Sequence, residues 1–227
     1  MSEYYIEIID VMQGRMATYR FLSRLYRKEV DQELLDQLIA MRYPVKSGNA
    51  EMDAGYRMMH GYICSTWERT LTDLAIDFAR VFLGHGINAH SAAYPFESVH
   101  TSAKRLLMND ARDEVLAIYR ANGIEKTNAW REGEDHIALE LEFISLLIER
   151  TLELLQVKDE EQVFSLLRTQ LNFLDNHLLN WVPMLVIEMQ KFAKTDFYRA
   201  LALITSGYLT VDREILEDIL AVAKLED

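Results

Sequence analysis

Apolar residues recur at spacings of three and four along almost the whole chain, and only nine glycines and three prolines in 227 residues interrupt them. That period belongs to helix, and those two residue types are what break it. The chain therefore reads as all-α, a bundle of roughly ten helices in a single domain over residues 1–227. Its most apolar helix opens at Gly133-Glu134-Asp135-His136-Ile137. At about 100° per residue, Ile137, Leu141, Ile144, Ile148, Leu152 and Leu155 share one stripe, while Glu142, Ser145, Glu149, Glu153 and Gln156 share a polar arc. A helix so patterned is packed on most sides. Glu134 and Asp135 are placed to cap and charge-stabilise its start. His136 and Glu140 fall beside Leu147 and Phe143, on an apolar flank where ionisable groups need a partner.

The remaining helices follow from the same period. The first runs from about Glu3 to Arg27, with Ile8, Met12, Tyr19, Leu22 and Tyr26 inward. Asp31 caps a short second helix that stops before Pro44. From Glu51 to Leu83 the pattern fits one long helix or two, and the capping-box spacing of Ser65-Thr66-Trp67-Glu68 favours two, the second starting at Ser65. It presents Trp67, Leu71, Leu74, Phe78, Val81 and Phe82 as a stripe and ends at Gly84-His85-Gly86. The longest loop, Gly84 to Pro95, delivers Pro95-Phe96-Glu97-Ser98-Val99-His100 into the next helix. Asp110 opens a helix ending at Asn122-Gly123, and Asp159 caps one whose stripe ends at Trp181. Pro183 suits the first turn of another, and Asp196 and Asp212 each suit a helix start.

The balance of 24 basic and 36 acidic residues, a formal charge of −12, argues against nucleic-acid binding, which needs a basic surface to neutralise phosphates. A single cysteine, Cys64, excludes an internal disulfide framework and a multi-thiolate zinc site. With no basic start followed by a long apolar run, and no apolar stretch near the roughly 20 residues that cross a bilayer, a cytoplasmic, soluble chain is expected. One Glu-x-x-His, Glu97-Ser98-Val99-His100, falls short of the paired motifs of a di-iron bundle, and no phosphate loop or dinucleotide fingerprint is present. No metal and no cofactor is expected. His136 with Asp135 or Glu140 leaves acid-base or small-ligand chemistry open. The plainer alternative for His136, and for His177, is a buried, hydrogen-bonded histidine.

Three motifs in order, Asp77-Phe78-Ala79-Arg80-Val81-Phe82-Leu83-Gly84 with Tyr94-Pro95-Phe96-Glu97-Ser98-Val99, then Glu134-Asp135-His136, then His177-Leu178-Leu179-Asn180-Trp181-Val182-Pro183, resemble the TorD/DmsD-type redox-enzyme maturation chaperones. The resemblance spans about Tyr19 to Pro183. It implies a cytoplasmic, all-helical, non-catalytic protein, monomeric or domain-swapped into homodimers. Its partner would be the twin-arginine signal peptide and mature part of a molybdoenzyme precursor, held during cofactor insertion before export. It also implies a signal-peptide site at Asp135 and His136, with Glu134, Glu97, Trp181 and His177 as matching motif positions and Phe82 and Phe96 as neighbouring apolar residues. The chain departs from the family in two places. Gly133 stands where a proline is usual, and His100 where a tyrosine is common.

Overall fold

The computed structural model describes residues 3–44, 46–84, 91–102, 110–127 and 129–223. These form α1 (Glu3–Arg27), α2 (Gln32–Ala40), α3 (Ala50–Ile63), α4 (Thr70–Phe78), α5 (Glu97–Thr101), α6 (Asp110–Ala121), α7 (Ile137–Val157), α8 (Glu160–Phe173), α9 (Leu179–Phe192) and α10 (Asp196–Ala223). The all-α expectation holds. Asp31, Asn49 and Asp159 cap α2, α3 and α8 by accepting from backbone N–H groups one turn inside each helix, the bonds those residue types make at helix starts. Lys158 closes α7 in the left-handed region at φ 58°, where its charge suits the negative end of the helix.

Two long pairings set the frame: α1 lies along α7, and α3 lies along α10, with α8 and α9 joining them. The stripe of α7 is interior, with Ile137, Leu141, Ile144 and Ile148 all buried. Met12, Tyr19, Leu22 and Tyr26 meet it from α1 or pack nearby in the same core. The α3–α10 crossing is close enough to demand glycine. A Cβ on Gly55 would stand 2.9 Å from Ala200 O and Ile204 N, and one on Gly207 would stand 2.8 Å from Met52 N.

Several expected boundaries move. The second helix of the Glu51 to Leu83 region starts at Thr70, not Ser65. Ser65 Oγ donates back to Gly61 O, and Thr70 Oγ1 instead accepts from Trp67 N, which leaves Trp67 outside the helix and exposed. α4 runs on as a π-helical turn, Ala79–Leu83; His85 and Gly86, assigned to its end, lie outside the described residues, as does all of 85–90. Trp181 ends nothing. α8, a π-helical turn Leu174–Leu178 and α9 follow without a break, with Pro183 inside α9.

Asp212 likewise starts no helix, because it lies within α10, fully buried. Its carboxylate takes a two-bond grip from Arg15, Nε at 2.6 Å and Nη2 at 2.9 Å, and a bond from Tyr19 Oη at 2.7 Å. Arg15 Nη1 reaches Gln170 Oε1 at 2.8 Å, and Gln170 Nε2 reaches Thr151 Oγ1 at 2.9 Å. This network pins α1, α7, α8 and α10 together through one charge pair, whose partners have no water to fall back on. Asp212→Ala strands Arg15 in the core and should lower unfolding stability by about 3–5 kcal/mol. The double change Arg15→Met with Asp212→Leu should recover a large part of that loss. Urea midpoints of the three proteins test this, and a double variant no better than the single one would contradict it.

Candidate functional site

Two helix starts meet inside the molecule. The segments leading into α5 and α7 pair as an antiparallel bridge at Phe96 and His136. Glu97 N donates to Asp135 O at 2.9 Å, and Ile137 N donates to Pro95 O at 3.0 Å. The free N–H groups at each start are then met by side chains. Asp135 Oδ2 accepts from Ser98 N at 2.9 Å, so it caps α5 across the gap rather than α7. His136 caps α7 itself, its Nδ1 accepting from Ala138 N at 3.1 Å. The expectation that Glu134 or Asp135 caps α7 is thus corrected, because the turn directs both side chains elsewhere. Glu134 is bound by Arg112 Nε at 2.6 Å and Lys126 Nζ at 3.0 Å. Burial works against its charge, yet the two cations outweigh burial and hold its carboxyl below the usual range.

A second chain of polar contacts runs inward from α5. Glu97 Oε2 receives His177 Nδ1 at 3.0 Å, and Glu140 Oε2 receives Trp181 Nε1 at 3.0 Å. The π-helical turn carries His177 to this point, and Phe173 stacks on its ring at 4.7 Å. His100 lies stacked 5.4 Å from Trp181 and donates from Nε2 to Ala93 O and Tyr94 O. Tyr94 takes φ 40° immediately before Pro95, a strained backbone for a residue in that position. Bonds from Phe96 N and His100 to its carbonyl hold it there.

Seven of the eight residues assigned from sequence are therefore brought together: Phe96, Glu97, Glu134, Asp135, His136, His177 and Trp181. Phe82 is in another neighbourhood, edge-on to Tyr26, Phe78 and Tyr198. All eight side chains are buried. Those that sequence reading left out include Arg112 and Lys126, which satisfy Glu134, and Trp130, whose ring meets His136 edge-on at 5.2 Å. Surface cations at helix and loop positions give no signal of an inward role. Asp77 belongs with them. It is buried and accepts from Lys194 N, Thr195 N and Thr195 Oγ1, fixing the turn between α9 and α10.

The electrostatics disfavour proton-transfer work here. Burial, with the charge of Arg27 added, lowers His136 to about 3, so the ring is neutral near pH 7, and its Nδ1 is already used as a cap. Among the described residues there is no group of three or more His, Cys, Asp or Glu placed to hold a metal ion, and no helix long and apolar enough to cross a membrane. Asp135 Oδ1 and Glu140 Oε1 are buried without a hydrogen-bond partner.

Glu140 titrates high, because burial and then the neighbouring Glu97 charge push its carboxyl well above 4.5. The unfolded chain ionises this group above about 4.5 while the folded chain keeps it protonated, so stability falls as pH rises beyond that value. Glu140→Gln keeps an acceptor for Trp181 and removes the ionisation. The variant should unfold at a higher denaturant concentration than the parent at pH 8 and at the same one near pH 4. A constant difference across that range would show that Glu140 is charged in the folded chain.

The family model described as nitrate reductase delta subunit matches residues 49–186. A chaperone protein TorD of Vibrio vulnificus (strain YJ016) is 26% identical over 216 residues, covering 92% of this chain and 98% of that one. One of Psychrobacter sp. (strain PRwf-1) is 24% identical over 216 residues, covering 90% and 92%. One of Photobacterium profundum is 30% identical over 152 residues, covering 66% and 67%. The matched region contains the α5 and α7 starts and the His177 turn, and the chain belongs to this family as a TorD-type chaperone with a role in molybdoenzyme maturation, not as an enzyme.

Proposed function

We propose that the chain is a cytoplasmic, single-domain chaperone that binds the twin-arginine signal peptide and the mature part of a molybdoenzyme precursor while the cofactor is inserted. The peptide is recognised where α5 and α7 begin, around Asp135 and His136, with Glu134, Glu97, His177, Trp181 and Phe96 shaping the surroundings, while Phe82 packs apart from them. The observation that carries this reading is the divided use of Asp135. Oδ2 holds the α5 backbone, whereas Oδ1 is buried without a donor. An arginine side chain presents a planar fork of donors suited to such an oxygen. Because the carboxylate is 1% exposed, an arginine reaches it by displacing part of the cover. The strained Tyr94-Pro95-Phe96 turn adjoins it, joined to the α7 approach by the Ile137 N–Pro95 O bond and the Phe96–His136 bridge.

Asp135→Asn tests the assignment, because asparagine caps about as well as aspartate while the carboxylate is lost. Thermal stability should stay near native. Affinity for a peptide with the Arg-Arg pair should fall more than affinity for the same peptide with both arginines neutralised, and its salt dependence should flatten. Equal losses for the two peptides would mean that Asp135 shapes the site without reading charge. No heat on titrating the folded parent protein with the Arg-Arg peptide would remove the signal-peptide reading.

A further inference from the structure

Beside the Asp135 site lie two adjoining hollows, of about 170 Å³ and 260 Å³, which share Arg27, Glu142 and Leu146. The smaller is walled by Tyr119, Leu139, Phe143 and Trp130. Arg27 bridges the junction: its guanidinium pairs with Glu142 and lies 5.1 Å over the Trp130 ring. Two donors there are unused, since Trp130 Nε1 and Arg27 Nε are both buried without a hydrogen-bond partner. Buried N–H groups are costly to leave unmade, so this place favours an arriving acceptor. The acceptor suited to it is neutral. Glu142 already answers the charge of Arg27 and Glu134 that of Lys126, while Glu125 also lines the smaller hollow, so a carboxylate or phosphate entering it would meet the like charges of Glu125 and Glu142.

We propose that this groove between α1, α7 and the residues 124–127 and Trp130 seats an extended apolar peptide segment, one Leu- or Phe-sized side chain filling the smaller hollow and a main-chain carbonyl accepting from Trp130 Nε1 and Arg27 Nε. A cavity of about 150 Å³ holds a benzene ring, so the smaller hollow fits one such side chain. Trp130 edges onto His136, the residue next to Asp135. A chain whose arginines engage Asp135 therefore passes directly into the groove with the apolar residues that follow them. The inference rests on the signal-peptide reading above and adds the place where its uncharged half docks.

The test titrates two peptides, one with an Arg-Arg pair followed by a Leu-rich segment and one with that segment replaced by serines, into the parent protein and into Trp130→Phe, which keeps an aromatic ring and loses the N–H together with the pyrrole half of the indole. The variant should bind the Leu-rich peptide roughly five- to tenfold more weakly and the serine peptide unchanged. In the parent, the Trp130 indole N–H resonance should move downfield with the Leu-rich peptide alone, a readout that does not depend on the variant folding. Binding of the Leu-rich peptide with no indole shift and no loss in Trp130→Phe would overturn the groove assignment and leave the Asp135 reading standing. Failure of the parent to bind either peptide would overturn both.

Discussion

Two helices cannot begin side by side in a dry interior unless their first N–H groups find acceptors. In this chain the starts of α5 and α7 do so, and the solution accounts for much of the local sequence. Each start needs an acceptor facing the other segment. Asp135 supplies one to α5, His136 supplies one to α7, and the Phe96–His136 bridge zips the two approaches together. The motifs around Glu97 and around Asp135 are therefore two halves of one joint, 37 residues apart in the Ser98 to Asp135 bond, and neither half makes structural sense alone.

Once the joint is buried, it gathers acid. Glu97, Glu134, Asp135 and Glu140 are each at most 5% exposed, and each is rendered tolerable by a different device. Glu134 has two cations, Asp135 has the Ser98 N–H, Glu97 has His177, and Glu140, whose carboxyl burial pushes up, receives Trp181. His136 stays neutral because burial and Arg27 both oppose its proton. The cluster thus holds its acidity in reserve without unfolding the molecule; its orphan oxygen is on Asp135, next in sequence to His136, and its orphan indole N–H is on Trp130, whose ring meets His136 edge-on. A basic segment followed by an apolar one carries the complementary groups in the same order.

The fold was largely legible because helix period and capping are local. The first helix through Arg27, the Asp31 and Asp159 starts and the interior stripe of α7 all follow from side chains within a turn or two. Boundaries failed where tertiary contacts decided them. Asp212 looks like a cap until Arg15 and Tyr19, almost two hundred positions away, make it a core residue, and Trp181 looks like an end until the π-helical turn lets one rod continue through it. The site was legible as a set of motifs, yet not as geometry. An Asp-His pair before an apolar helix suggests its own cap, and nothing local reveals that Asp135 serves a different helix. The roles of Arg112, Lys126 and Trp130 were hidden for the same reason.

The central claim is that peptide recognition works on the α5–α7 joint. Hydrogen exchange at single amides addresses it most directly, since Ser98 N–H is held by Asp135 and Ala138 N–H by His136. On adding a peptide with the Arg-Arg pair and its apolar segment, exchange at these two amides should change while the α3–α10 crossing around Gly55 and Gly207 keeps its rate. Peptide binding that left Ser98 and Ala138 unchanged and altered exchange only at α3 and α10 would contradict the account.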